Sequence, residues 1–159
     1  MDTETNQAVI HKYIDEFWSQ GKVELASEII SPAYTRTDPA TSWVTGDREG
    51  VKQLMLSFRA AFPDLHFDTH EIIPSGNKVV VRWTGTGTHQ GKLLGIAPTR
   101  KLINIMGASI YEVSGGQMVG EYTVWDSLGM MQQLGVIPSQ GKARVSLYSP
   151  KYQKVNSRK

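Results

Sequence analysis

Asp126 is a carboxylate set between an apolar strand and a helix. It follows Glu121-Tyr-Thr-Val-Trp125 and precedes Ser127-Leu-Gly-Met-Met-Gln-Gln133-Leu134-Gly135. Burying a carboxylate without a full set of partners is costly, and the usual response is a raised proton affinity, which is what general acid or base chemistry near neutral pH requires. The spacing therefore predicts a partly buried Asp126 that exchanges a proton with a ligand. The competing reading is structural, because Asp before Ser at a strand-to-helix junction is also a good N-cap.

Other residues could share that chemistry. Asp38, beside Pro39, could face Asp126 as a second carboxylate whose environment pushes the pair apart in acidity, or could simply form an Asx turn. Glu121 lies on the same strand as Asp126, but alternation puts the two on opposite faces unless a bulge intervenes, so it is a weaker ligand-binding candidate. His89 closes a strand among small residues, at the pocket mouth or in an exposed loop. Tyr34, Trp43, Phe62, Met106 and Tyr111 are expected as pocket walls or as core. His66, Asp68 and His70 alternate along one strand face; three ligands on one flat strand do not converge on an ion without help, so no metal is expected. Gly85-Thr-Gly87-Thr-His-Gln-Gly91 lacks the spacing of a dinucleotide loop, and no phosphate cradle is present, so no nucleotide cofactor is expected.

These residues need elements to position them. Val9, Ile10, Tyr13, Ile14, Phe17 and Trp18 recur at helical spacing up to Gly21. Val23, Leu25, Ala26, Ile29 and Ile30 suggest a shorter helix ended by Ser31-Pro32, and Tyr34 to Pro39 reads as a short strand or extended turn. Asp47 can cap a third helix with Val51, Leu54, Met55 and Phe58 inside. From Leu65 the pattern turns to period two, with strands over 65–73, 78–89, 101–113 and 117–126. Ser75-Gly76-Asn77 and Ser114-Gly115-Gly116 supply hairpin turns, so consecutive strands run antiparallel. In this sheet Arg82, Thr84, Thr86 and Thr88 share one strand face, which either lines a wet pocket or forms the solvated back. A last helix, Ser127 to Leu134, ends at Gly135. The expected fold is α+β: a curved, cone-shaped antiparallel sheet with helices over one face and an apolar pocket between.

At 159 residues the chain suits one domain, expected over 1–138, with 139–159 as a basic tail. That tail holds Lys142, Arg144, Lys151, Lys154, Arg158 and Lys159 and no acidic residue, leaving the remainder at a balance of −4. A flexible, solvated terminus is the expected role, and the body carries no basic, aromatic-studded stripe, so nucleic acid is not an expected partner. No apolar run approaches the roughly 20 residues of a membrane span, and the N-terminus lacks the features of a signal peptide, so the cytoplasm is expected. The absence of cysteine excludes disulfides, thiolate metal sites and a Cys nucleophile.

Four segments in one order carry a resemblance: Ala60-Ala-Phe-Pro63-Asp64-Leu, Gly87-Thr88-His89-Gln-Gly91, Gly95-Ile-Ala-Pro98-Thr99, and Glu121 to Asp126 followed by Gln133-Leu134-Gly135. Together they resemble the SnoaL-like polyketide cyclases and ester cyclases of the nuclear transport factor 2-like superfamily, from about Val9 to Pro138. The resemblance implies a cone-shaped α+β barrel, cofactor-free and metal-free acid/base chemistry on a small hydrophobic metabolite, and a homodimer. It places the family's catalytic aspartate on Asp126. The chain departs from the pattern before the Asp-Pro pair, where many relatives have histidine and this sequence has Thr37, preceded by Arg36. Arginine is no base at neutral pH, so Arg36 is expected to stabilise an enolate oxygen or hold an anion. The leading expectation is a cofactor-independent cyclase or isomerase of a polyketide- or terpenoid-like metabolite. The alternatives are a non-catalytic ligand carrier on the same fold and an epoxide hydrolase.

Overall fold

The computed structural model describes residues 3–139, so the basic tail from residue 140 onward lies outside the described residues. The opening helix α1 (Thr3–His11) runs into a π-helical segment, Lys12–Trp18. There the Ser19 N–H reaches back five residues to the Ile14 carbonyl at 3.1 Å, and the wide turns bury Tyr13, Ile14 and Phe17 together. A 3-10 turn (Val23–Leu25) and the single-turn helix α2 (Ala26–Ile29) follow.

The second helix stops one residue earlier than the sequence suggests, because Ile30 opens strand β1 (Ile30–Thr37). This strand takes in Ser31-Pro32, which the sequence reading treats as a helix stop. Proline is tolerated there because β1 is a sheet edge, and its register with its neighbour slips between Ile30 and Thr35.

After a 3-10 turn (Pro39–Thr41), helix α3 (Arg48–Ala61) begins on Asp47, whose side chain accepts the Gly50 N–H at 2.7 Å. Val51, Leu54, Met55 and Phe58 are buried, as their spacing predicts. Each such apolar side chain contributes about 1.5–3 kcal/mol when removed from water. The strands β2 (His66–Ser75), β3 (Lys78–Thr88), β4 (Leu102–Ser114) and β5 (Gln117–Trp125) form an antiparallel meander. Helix α4 (Ser127–Leu134) ends at Gly135 in the left-handed conformation, φ 79°.

The sheet order is β1-β5-β4-β3-β2, a curved and unclosed surface whose concave side packs on the helices. Within it, β1 lies parallel to β5, with Arg36 opposite Glu121 and Thr37 opposite Tyr122. Hairpin logic finds only antiparallel pairs, so this joint is not among the sequence expectations. On β3, Val79, Val81 and Trp83 are buried against the helices and the Arg82 and threonine row faces outward, so that row is the back of the sheet.

Candidate functional site

Three charged side chains converge where β1 meets β5. Arg36 and Glu121 are cross-strand partners on the inner face, and Asp38 follows where the chain leaves β1. Their side chains are only 8 %, 4 % and 1 % exposed. Buried charges of this kind require close partners, and they have them. Arg36 Nη2 donates to Asp38 Oδ2 at 2.8 Å, and Nη1 donates to the Thr41 hydroxyl at 2.7 Å. That hydroxyl donates in turn to Asp38 Oδ2 at 2.7 Å, and the Trp125 indole N–H adds a third donor at 3.1 Å. Asp38 Oδ1 accepts the Ala40 N–H at 2.9 Å, so the Asx turn expected of an Asp-Pro pair and the inward carboxylate are one residue.

Glu121 is held differently. The hydroxyls of Tyr13 and Tyr34 both donate to Oε2, at 2.8 and 2.5 Å. Oε1 stands 3.4 Å from the Arg36 Nε, an ion-pair distance whose geometry makes no hydrogen bond, so among the described residues Nε–H is a buried donor without an acceptor. The π-helical segment matters here because it carries Tyr13 to the carboxylate. Gly46 matters too. Its carbonyl accepts the Arg36 N–H at 2.7 Å, and a Cβ at residue 46 would stand 2.5 Å from the Arg36 carbonyl oxygen.

The surroundings fix the protonation of the other partners. Burial by itself lowers the proton affinity of Arg36, but Glu121, Tyr13, Asp38 and Tyr34 together outweigh it, and the guanidinium lies above the ordinary arginine range as a permanent cation. Burial first, then the Glu121 carboxylate, push the phenols of Tyr13 and Tyr34 well above their ordinary value, and Tyr111 rises for the same reasons. At neutral pH these phenols are neutral donors.

The cluster forms one wall of a chamber of about 70 Å³. Ile14, Trp18, Phe58, Trp83, Ile103 and Tyr111 supply its apolar walls. A second polar feature is a hydroxyl relay: Trp83 Nε1–H donates to Ser109 Oγ at 3.0 Å, and Ser109 and Thr123 share a 2.7 Å bond. Chemically the chamber wall presents a fixed cation, whose Nε–H is buried and unpaired among the described residues, beside the Glu121 carboxylate. That is the arrangement needed to take a proton from carbon while holding the oxygen on which charge develops.

Among the expected site residues, the structure brings Arg36, Asp38, Glu121, Tyr34 and Tyr111 together. Asp126 is not with them. Its side chain is exposed, caps α4 by accepting the Gly129 N–H at 2.7 Å, and does not line the chamber. The expectation of a buried, inward Asp126 is thus corrected, because it stands five positions, an odd number, after the inward Glu121 and alternation turns it outward. Met106 is likewise exposed on the outer face, Phe62 is buried in the core beside Phe58, and Trp43 is half-exposed beside a separate outer basin. None of the three lines the chamber.

His89 is neither at the mouth nor in solvent. It is fully buried against Phe62, its Nδ1 accepts the Thr99 N–H at 3.1 Å, and burial lowers its proton affinity. His66 pairs with Asp68 at 3.3 Å on the outer face, and His70 bonds Thr84 at 2.7 Å. No group of three His, Cys, Asp or Glu among the described residues is placed to hold a metal ion.

Tyr13, Thr41, Ser109, Thr123 and Trp125 are site residues the sequence reading missed. The signal for Thr123 and Trp125 was period two from Glu121, and for Ser109 it was period two from Tyr111. Thr41 lies in a turn without periodicity. Tyr13 belongs by its spacing to the helix core.

The family model of the SnoaL-like polyketide cyclases matches residues 8–134. A candidate polyketide cyclase from Acidithiobacillus ferrooxidans is 34 % identical, with 82 % of this chain and 94 % of that one covered at a TM-score of 0.74. IdmH from Streptomyces antibioticus, also named as a candidate polyketide cyclase, is 27 % identical over 82 % of this chain and 98 % of its own, at 0.73. TsrD from Streptomyces laurentii, 22 % identical over 86 % and 99 % at 0.77, shares the fold. No curated protein matches the chain. No helix among the described residues is long and apolar enough to cross a membrane.

Proposed function

Since the chain belongs to the SnoaL-like polyketide cyclase family, we propose that it is a cofactor-independent cyclase or isomerase of a hydrophobic, oxygenated metabolite, with Glu121 rather than Asp126 exchanging the proton. The observation that carries this is the buried Arg36–Glu121 pair, with an unused donor on one partner and the least engaged carboxylate oxygen of the cluster on the other. A substrate carbonyl placed against the Arg36 N–H would have its α-carbon near Glu121 Oε1. Glu121 takes the α-proton, and the enolate oxygen is held by Arg36. In a cyclisation the carbanion then attacks a second carbonyl, a carbon–carbon bond forms, and the proton is returned to the new alkoxide. In an isomerisation it is returned to another carbon. Asp38, with both oxygens engaged, orients Arg36.

The test needs no knowledge of the natural substrate. The purified protein should exchange the α-protons of 2-tetralone for deuterium in heavy water faster than buffer does, followed by proton NMR. Glu121→Gln should lose about 10²–10⁴-fold of that excess. An exchange rate unaltered by the substitution would refute the assignment.

A carrier is the second reading, favoured by how many of the cluster's lone pairs are already engaged. It requires tight ketone binding without any exchange. The family's expected homodimer is part of the proposal: Ile110 lies opposite Tyr122 on the outer face of the sheet, with Val124 and Met106 nearby, all exposed. An apolar row of this kind suits a self-complementary contact.

A further inference from the structure

The chamber is small for its task. At about 70 Å³ it has room for roughly five water molecules, whereas pockets for ligands of metabolite size measure roughly 300–1,000 Å³. An outer basin of about 350 Å³ lies next to it, between the Pro39–Thr41 turn, the 90–100 loop and α4. Thr41, Phe58 and Trp125 line both spaces, so the two share one wall. That wall is held in place: Trp125 is pinned by its indole bond to Asp38 and packs edge-on against Phe58 at 6.1 Å.

The rim of the basin is apolar and, among the described residues, exposed. Trp43, Leu94 and Leu128 are 47 %, 56 % and 54 % exposed, on three different segments that converge on the same space. Leu94 also holds φ at +47°, a backbone conformation costly for a bulky side chain. The positive φ belongs to the tight turn that the Leu93–Ile96 bridge closes, with Gly95 at +84°, and such a turn favours asparagine or glycine over leucine at this place. The turn fixes the φ, and the residue it carries presents an apolar side chain to a basin next to the reactive cluster, where a ligand could cover it.

We infer that chamber and basin are two halves of one binding site. The basin takes the apolar remainder of an elongated substrate whose carbonyl end enters the chamber past Trp125. The substrate class is then a ketone-bearing metabolite with an apolar extension of about five carbons or more, and Trp43, Leu94 and Leu128 set its length preference. This rests on the proposed function, since the carbonyl is what Arg36 and Glu121 would hold.

Alkyl phenyl ketones from acetophenone to hexanophenone, titrated calorimetrically, test it. In the native protein, affinity should rise by about three- to four-fold per added methylene as the tail fills the basin. The Trp43→Ala, Leu94→Ala double variant should reduce that to under two-fold while leaving acetophenone unchanged. Leu128→Ala, in α4, should flatten the dependence independently. A slope that survives both variants overturns the inference and leaves the proposed chemistry standing, provided that Arg36→Met abolishes acetophenone binding. If no ketone of the series binds the native protein, the inference and the function it rests on both fall.

Discussion

Replacing Arg36 by methionine keeps the length and apolar stem of the side chain and removes the only cation that the described residues place on the chamber wall. Asp38 and Glu121 would then stand buried without a counter-charge. At an effective dielectric of about 20, the 2.8 Å contact to Asp38 and the 3.4 Å contact to Glu121 correspond to about 6 and about 5 kcal/mol of gross attraction. Most of this is offset by the cost of drying the guanidinium, and breaking a buried pair from one side nets about 3–5 kcal/mol. Urea unfolding followed by circular dichroism measures it, and with a slope of about 2 kcal/mol/M the midpoint should fall by about 2 M. The partner measurement is Asp38→Asn in both backgrounds. Removing the anion should be harmful in the native protein and restorative after Arg36→Met, for a coupling of about 1–3 kcal/mol. A single-variant cost under about 1 kcal/mol, or additivity within about 0.5 kcal/mol, would show that the three charges are not the mutually dependent buried unit described above.

Other substitutions separate structural from chemical roles. Asp126→Ala should cost about 1 kcal/mol as a lost cap and Asp126→Asn close to nothing, with deuterium exchange into 2-tetralone unchanged in both; exchange lost in the Asn variant would restore Asp126 as the proton carrier. For His89, the folded state holds the proton less readily than the unfolded chain, so its contribution is complete above about pH 6.5 and is lost as the pH falls from there through the lower value of the folded state. His89→Asn keeps an acceptor for the Thr99 N–H and should give a stability that is lower overall yet flat between pH 7 and 5.5, measured by urea titration at each pH; a slope equal to the native one contradicts this. Ile110→Glu, placed in the exposed apolar row, should convert a dimer to a monomer in sedimentation velocity without unfolding it, and a dimer that persists would move the contact elsewhere.

Period arguments worked where a residue had one face to choose. The stripe of α3 and the hairpins of β2 to β5 were legible because a one-residue slip would expose an entire apolar set. The same parity also held the answer for Asp126: Glu121, Thr123 and Trp125 face inward, so the residue after Trp125 faces out. Giving Asp126 to the pocket meant preferring its chemistry to its parity. Met106 misled for a related reason, since Met106, Ile110, Tyr122 and Val124 make the outer face apolar as well, and hydrophobicity alone does not tell the faces apart. Two features left no pattern to read. The π-helical turns that bring Tyr13 to Glu121 keep the same residues as an ordinary helix, and the parallel joint of β1 to β5 spans more than eighty residues of chain, beyond any local rule. The sequence points to Arg36 as a stabiliser of negative charge, and its place opposite Glu121 is the piece that only the tertiary pairing supplies.

The most direct measurement is a crystal structure of the protein soaked with 2-tetralone. The carbonyl oxygen is expected within hydrogen-bond distance of the Arg36 guanidinium, with the α-carbon facing Glu121 Oε1 and the aromatic ring toward Trp125. A ketone seated with its carbonyl toward Asp126, or density confined to the protein surface while the chamber keeps its solvent, would contradict the assignment of chemistry to the buried cluster.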